Sequence, residues 1–276
     1  MDGLQIPGFY IDTVANTRTV IPFLCSSGYY CLVLASSSSE SDNKYGQLHH
    51  DYCDGILIAY RANVIYTKIP SSCIWLVAFH PELFKDMIHE KQIEEYSFWG
   101  YTPDEALHIS QKESQILTSC FNDIRKEFNQ NTDQYKLNIL DKHIVRLLNY
   151  ITRFYERQFI TRELANEVLI RQYEALVKQY IDSGNLAHGS LSSTYCARRL
   201  RQSEAYLEDL LKFHFGHTHT CHIQLKRIEA AKERLRSSQK SLTQIVRELG
   251  FPSVQYFSFL FKKITGITPN EYRLIN

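Results

Sequence analysis

Long apolar runs are missing from this 276-residue chain, and none approaches the ~20 residues a membrane-spanning helix requires. The N-terminal stretch MDGLQIPGFY has neither a basic segment nor a long apolar core, so no secretory signal is expected. The seven cysteines (Cys25, Cys31, Cys53, Cys73, Cys120, Cys196, Cys221) include no CxxC pair, and their number is odd. They read as reduced core thiols of a cytoplasmic protein rather than a disulfide framework. A nucleophile elbow, a phosphate-binding glycine loop and a zinc-protease motif are also lacking, so neither catalysis nor a cofactor is expected. Net charge is only +1, which alone argues neither for nor against nucleic acid.

What is present is an uneven distribution of that charge. Residues 171–276 hold 16 Lys and Arg against 9 Asp and Glu, whereas the first 170 hold 15 against 21. A basic C-terminal part behind an acidic N-terminal part is the asymmetry expected of a nucleic-acid-binding domain with a regulatory partner. Apolar residues make up 44% and charged residues 22%, a globular balance, and the length allows two domains that each bury a core.

The first 80 residues carry candidate strands at 28–35, 55–60, 63–68 and 73–80, rich in β-branched and aromatic side chains. A polar loop at 36–46 and a turn at 69–72 separate them. Short strands at this spacing predict a small barrel or sandwich. Helical periodicity follows: Ile116, Cys120, Ile124 and Phe128 recur at i+4, then Leu137, Leu140, Ile144, Leu147, Leu148 and Ile151 form a second series. Residues 128–135 read as the connection of an antiparallel helix pair. That pair either covers the sheet or presents a dimer seam. The more polar segment 159–168 marks the boundary, giving expected domains of 1–160 and 161–276. A helix over 169–181 opens the second domain.

Residues 191–216 and 242–266 are one segment written twice. Cys196, Ala197 and Leu200 recur as Ile245, Val246 and Leu249, 49 residues on; Leu207, Leu211 and Gly216 recur as Phe257, Phe261 and Gly266, 50 residues on. The one-residue slip falls between two apolar-periodic runs, where a turn is expected. Ser203 and Ser253 are good N-caps, Arg201-Gln202 and Gly250 make the turns, and Gly216 and Gly266 stop the second helices. Tyr206, Leu210, Tyr256 and Leu260 complete the expected inner faces. A duplicated helix–turn–helix accounts for the pattern. Between the copies a helix over 218–236 would be roughly 28 Å long. One turn of DNA is about 34 Å, so such a connector can place two helices in successive major grooves.

The C-terminal third, roughly residues 167–276, resembles the DNA-binding domain of the AraC/XylS family of bacterial transcription regulators. The GF, YFS, FKK, TG, TP and EYR elements of residues 242–273 carry the resemblance, and the first copy matches more loosely. The family's plan implies an α+β chain: an N-terminal β-rich cupin-like barrel with an antiparallel helix pair for sensing and dimerisation, then two helix–turn–helix units joined by a long helix. It implies base reading by Ala205, Glu208 and Asp209 in the first copy and by Val254, Gln255, Ser258 and Phe259 in the second. Gln255 suits adenine, Glu208 can accept from cytosine, and Val254 can touch a thymine methyl. Family members often carry Arg at the position of Phe259 and polar or basic residues at those of Glu208 and Asp209. The two carboxylates either weaken reading by the first copy or form a solvated face.

Candidate phosphate contacts are Arg198, Arg199, Lys212, Lys226, Arg227, Lys262 and Lys263. His217, His219, Cys221 and His222 form HTHTCH at the start of the connector, where neighbours point apart; His222 aligns with Tyr272 and reads as core. His49, His50, Asp51 and Cys53 lack clear metal-cupin spacing. Tyr29, Tyr30, Tyr60, Tyr66, Trp75 and Phe79 either line a ligand pocket or fill the core. The expected function is a cytoplasmic, dimeric regulator of transcription. Its expected partners are double-stranded DNA, a small-molecule effector and, for an activator, RNA polymerase. The alternative is a cupin-type metal protein or enzyme with a degenerate helix–turn–helix appendage.

Overall fold

Five antiparallel strands organise the N-terminal part of the protein, seen here in a computed structural model that describes residues 6–12, 16–36, 55–71, 73–85, 87, 92–187, 189–237 and 239–275. His49, His50, Asp51 and Cys53 lie outside the described residues, as does the polar loop beyond Ser36. The strands are β1 (Phe9–Asp12), β2 (Tyr30–Ser36), β3 (Gly55–Tyr60), β4 (Trp75–Phe79) and β5 (Leu107–Ile109), in the order β1-β4-β2-β3-β5. In β2, Leu32 pairs with Ala59 on one side and Val77 on the other. The central strands YCLVLAS, GILIAY and WLVAF are near-continuous apolar runs because both faces of the sheet are covered.

One face packs Cys31, Val33, Ile58 and Leu76 against Ile21, Leu24 and Cys25 of helix α1 (Thr17–Ser26). The buried residues of α1 fall at i, i+4, i+7 and i+8, the stripe that seats a helix on a sheet. The other face carries Tyr30, Trp75 and Phe79. Trp75 stacks on Phe121 of α2 (Gln111–Phe128) at 5.7 Å, and Tyr30 meets Trp99 at 4.8 Å. Each such ring or aliphatic chain taken fully from water contributes about 1.5–3 kcal/mol. Tyr30, Trp75 and Phe79 thus lie on the face opposite Tyr60, and all four are buried core residues rather than the lining of one cavity.

Helix α2 begins at a capping box in which Ser110 Oγ accepts from Glu113 N and Glu113 Oε2 accepts from Ser110 N. The next helix, α3 (Lys136–Thr161), reaches back to this point. Arg157 holds Glu113 with two bonds of 3.0 and 2.7 Å, and its Nη2 also donates to His108 O at 2.8 Å. Gln158 Oε1 accepts from His108 N at 2.8 Å, and Gln158 Nε2 donates to Ala106 O at 3.3 Å. Side chains of α3 therefore satisfy the outer backbone groups of β5, where another strand would otherwise pair. The result is mixed α+β, but the described strands form an open sheet rather than the expected barrel. Residues 63–68 are not a strand either. Asn63 turns the chain with φ 59°, Ile65 points to solvent, and Tyr66 folds back with its ring 4.8 Å from Tyr60.

The chain divides into two compact units, Met1–Glu163 and Leu164–Asn276. The segment 159–168, read from sequence as a joint, is helical on both sides of Arg162. The second unit is all helix: α4 (Glu163–Asp182), α5 (Ser193–Leu200), α6 (Glu204–Phe215), α7 (His219–Ser237), α8 (Leu242–Glu248), α9 (Val254–Thr265) and α10 (Pro269–Ile275). The pairs α5–α6 and α8–α9 repeat the same caps and turn bonds. Ser192 and Ser241 cap the first helix of each pair, accepting from Tyr195 N at 3.1 Å and Gln244 N at 3.2 Å. Ser203 and Ser253 cap the second, accepting from Tyr206 N at 3.1 Å and Tyr256 N at 3.0 Å. Between them Gln202 N donates to Ala197 O, and Phe251 N to Val246 O, each across a left-handed residue, Arg201 (φ 57°) or Gly250 (φ 66°). A side chain at Gly250 would also meet the Leu186 carbonyl oxygen at 2.1 Å, so that turn needs glycine twice over.

Candidate nucleic-acid interface

The second helix of each copy has one buried side. In α6 it is Tyr206, Leu207, Leu210 and Leu211; in α9 it is Phe257 and Phe261. Tyr256, expected to face inward like Tyr206, is instead 41% exposed at the edge of α9, its hydroxyl 3.4 Å from Gln224 Nε2 on α7. At 3.6 residues per turn, the side of α9 opposite the buried rings carries Gln255, Phe259, Lys262 and Lys263, all exposed, with Val254 and Ser258 half-buried beside them. The matching side of α6 carries Ala205, Glu208 and Asp209, all half-buried, and the exposed Lys212. The structure thus gathers Ala205, Glu208 and Asp209 on the outward side of α6 and Gln255 and Phe259 on that of α9, with Ser258 at its edge and Val254 nearer the buried rings.

The two sides differ in what their charges do. Glu208 Oε2 accepts from His219 N at 3.2 Å, at the first residue of α7, so this carboxylate caps the connector helix. Asp209 lies 3.8 Å from Lys212, one turn on. Glu204, at the start of α6, accepts from the Ser193 hydroxyl and, at 2.8 Å, from Thr194 Oγ1. These two bonds, Ser193 first, hold its carboxyl below the usual range. The acidic side chains of α6 are engaged within their own unit. On α9 the charges are both amines.

The phosphate candidates separate in the same way. Arg198, Arg199, Lys262 and Lys263 are exposed and form no salt bridge among the described residues. Lys212 has Asp209. Lys226 sits between Glu174 at 3.4 Å and Glu229 at 3.5 Å. Arg227 is drawn into the fold: its Nε donates to Leu249 O at 2.7 Å and its guanidinium lies 3.9 Å from the centre of the Phe251 ring. Burial lowers its pKa from the usual arginine value. Arg227 is thus a clamp between α7 and the turn of the second copy. Sequence reasoning passed over Arg201, an exposed cation beside Arg198 and Arg199; its alignment with Gly250 in the repeat was the available signal.

The histidines of HTHTCH serve the core individually. His219 is buried, Nδ1 at 2.9 Å from Tyr173 Oη and Nε2 at 2.9 Å from Leu191 O. His222 is buried against Phe215, with Nδ1 3.2 Å from His217 Nε2. Burial, then the charges of Lys226 and His217, lowers His222 to about 4. Tyr272, its counterpart in the second copy, meets Phe261 edge-on at 5.5 Å.

Comparison with known proteins fits this geometry. Residues 196–274 match the family model described as a helix-turn-helix domain. The xylose operon regulatory protein of Escherichia coli (strain K12) is 38% identical over 74 residues, 27% of this chain and 19% of its own length. The arabinose operon regulatory protein of Salmonella typhimurium is 26% identical over 178 residues, 63% of this chain and 56% of its own. The solved C-terminal domain of AraT, a response regulator from Geobacillus stearothermophilus, is 28% identical over 40% of this chain and 85% of that one, with a TM-score of 0.34. The chain thus spans only about a fifth of the length of the xylose regulator it matches. Residues 196–274, which hold most of the two helix pairs and the helix that connects them, are thus a helix–turn–helix domain similar to that of the AraC-type regulators.

Proposed function

We propose that this protein is a sequence-selective transcription regulator that grips duplex DNA with both helix–turn–helix units and is controlled through its N-terminal unit. The observation that carries the reading is the repetition of the caps and turn bonds of α5–α6 in α8–α9 around α7, whose 19 residues give a length of roughly 28 Å. That separation suits two recognition helices on one face of DNA, whose turn is about 34 Å. In this reading α9 reads bases with Val254, Gln255, Ser258 and Phe259. Lys262, Lys263, Arg198 and Arg199 contact phosphates. With Glu208 and Asp209 engaged, α6 contributes mainly position. Residues 1–160 supply sensing of a small-molecule effector and dimerisation, and an activator of this kind would also touch RNA polymerase. The protein carries out no catalysis in this role. Among the described residues no observation favours the metal-protein reading over it.

The test is selection of duplexes from a random pool by the full chain, with and without cell extract, followed by binding across a salt series. Expected is a recovered consensus whose affinity falls with salt at about −0.9 in log–log slope per phosphate contacted. Failure to retain any duplex at about 50 mM salt, with the helices folded, would overturn the proposal.

A further inference from the structure

The outward side of α9 has an unusual centre for a surface meant to meet nucleic acid. Phe259 is 68% exposed, one turn after Gln255 and flanked on the next turn by Lys262 and Lys263. A single exposed aromatic ring means little by itself. Here its place matters: it stands opposite the buried Phe257 and Phe261, on the line that would point deepest into a groove. The two lysines complement a polyanion on either side of it. No arginine occurs anywhere in α9, VQYFSFLFKKIT, so the helix has no forked donor for guanine O6 and N7.

A phenyl ring neither donates nor accepts a conventional hydrogen bond. Within the major groove the apolar group offered by a base edge is the C5-methyl of thymine. An amide such as that of Gln255 matches adenine N6 and N7. We propose that Phe259 is a specificity-determining residue that recognises thymine methyl groups, so that the half of the operator under α9 is read as A·T pairs through a methyl contact and an amide contact. This inference rests on the DNA-binding function proposed above. It adds the class of base and the side chain that selects it. The competing occupant of the same face, a partner protein, predicts no dependence on thymine methyls.

The experiment uses the full chain and the duplex recovered from the random pool. Each thymine of the recovered site is replaced singly by deoxyuridine, which removes the methyl and leaves every hydrogen-bonding group in place. For the parent chain, one or two replacements should weaken binding about fourfold, the value of one methyl withdrawn from contact. Phe259→Ala should bind the thymine duplex weaker by a similar factor and be indifferent to the same replacements, closing a double-mutant cycle. Phe259→Arg should select guanine at that position. Retained DNA binding with no methyl sensitivity, equal sensitivity in parent and Phe259→Ala, or guanine selected by the parent would each overturn this inference and leave the DNA-binding function standing. Recovery of no duplex at all would overturn both.

Discussion

Replacing Gly250 by alanine would set a Cβ 2.1 Å from the Leu186 carbonyl oxygen and 2.9 Å from its carbonyl carbon. The backbone at this point is left-handed, φ 66°, which costs an L-residue about 1–2 kcal/mol before any contact is counted. The obstacle is backbone, so no rotamer relieves it; opening the contact to an ordinary distance moves the Leu186 peptide by about an ångström. Overpacking of this kind costs about 1–3 kcal/mol. Together Gly250→Ala should lose about 2–5 kcal/mol, a large part of the 5–15 typical of a domain. The repeat supplies the control. Arg201 holds the same left-handed position at φ 57° and is exposed, so Arg201→Gly exchanges one strain for chain entropy and should stay within about 1 kcal/mol of the parent. Gly189 has nothing within 4 Å of a Cβ, and Gly189→Ala should be neutral or slightly stabilising. Urea unfolding of the three full-length variants, followed by circular dichroism, separates them. If Gly250→Ala unfolded at the parent's midpoint, or Arg201→Gly fell as far, the assignment of this turn as the tight point of the repeat would be wrong.

Other consequences can be measured on the same chain. Arg227→Lys should lower stability by about 1–2 kcal/mol through loss of the Leu249 bond and the Phe251 stack, and leave the salt slope of DNA binding unchanged. Lys262→Ala or Lys263→Ala should each reduce that slope by about one without changing stability, and the opposite pattern would refute the division of roles. Glu208→Ala should cost about 0.5–2 kcal/mol by uncapping α7 while DNA affinity holds or improves; weaker binding at unchanged stability would restore Glu208 as a base reader. His222 is held neutral in the fold, with a pKa of about 4 against an ordinary value of 6.5. The unfolded chain therefore protonates first, so the stability from this ring is complete above about pH 6.5 and is lost as pH falls towards about 4. Lys226, His217, Glu174 and Glu229 set the field around it. His222→Tyr, which installs the side chain of the second copy, should flatten the fall in melting temperature of the C-terminal unit between pH 7 and pH 5; an unchanged fall would remove His222 as its cause.

The legible parts of this chain were those where one period persists. Ile144, Leu147, Leu148 and Ile151 lie on the buried side of α3, and Cys196, Ala197, Ile245 and Val246 are buried as the repeat required. Where composition stood in for period, the reading failed. Residues 63–68 have β-branched and aromatic side chains but no strand to pair with among the described residues, and Tyr66 meets Tyr60 instead. Helix α1 carries its apolar stripe in TRTVIPFLCS, yet β-branched residues and Pro22 disguise it. β5 has three residues, too few for alternation to register. At the interface, alignment singled out side chains most of which lie on the outward faces, but the engagement of two of the candidates depended on distant partners. Glu208 meets a backbone amide 11 residues away, and Arg227 meets a carbonyl 22 residues away. Neither contact has a local signature, because both arise only once the helices cross.

The duplication has kept its backbone and divided its electrostatics. Both copies share caps, turn bonds and left-handed residues at matching positions, so their helices share one local geometry. Asp209 and Phe259 hold corresponding places on the outward sides, as do Glu208 and Ser258. A carboxylate near phosphate is repelled, and on α6 that repulsion comes with a structural return: Glu208 caps the helix that fixes the distance between the copies, and Glu204 ties α5 to α6. On α9 the same positions hold an aromatic ring and a hydroxyl beside two lysines. Specificity should therefore concentrate in the half-site under α9, and substitutions of base pairs under α6 should change affinity by less. A base-by-base scan of the recovered operator showing equal penalties in both halves would contradict this division, because equal penalties require α6 to read bases with carboxylates that the fold already holds.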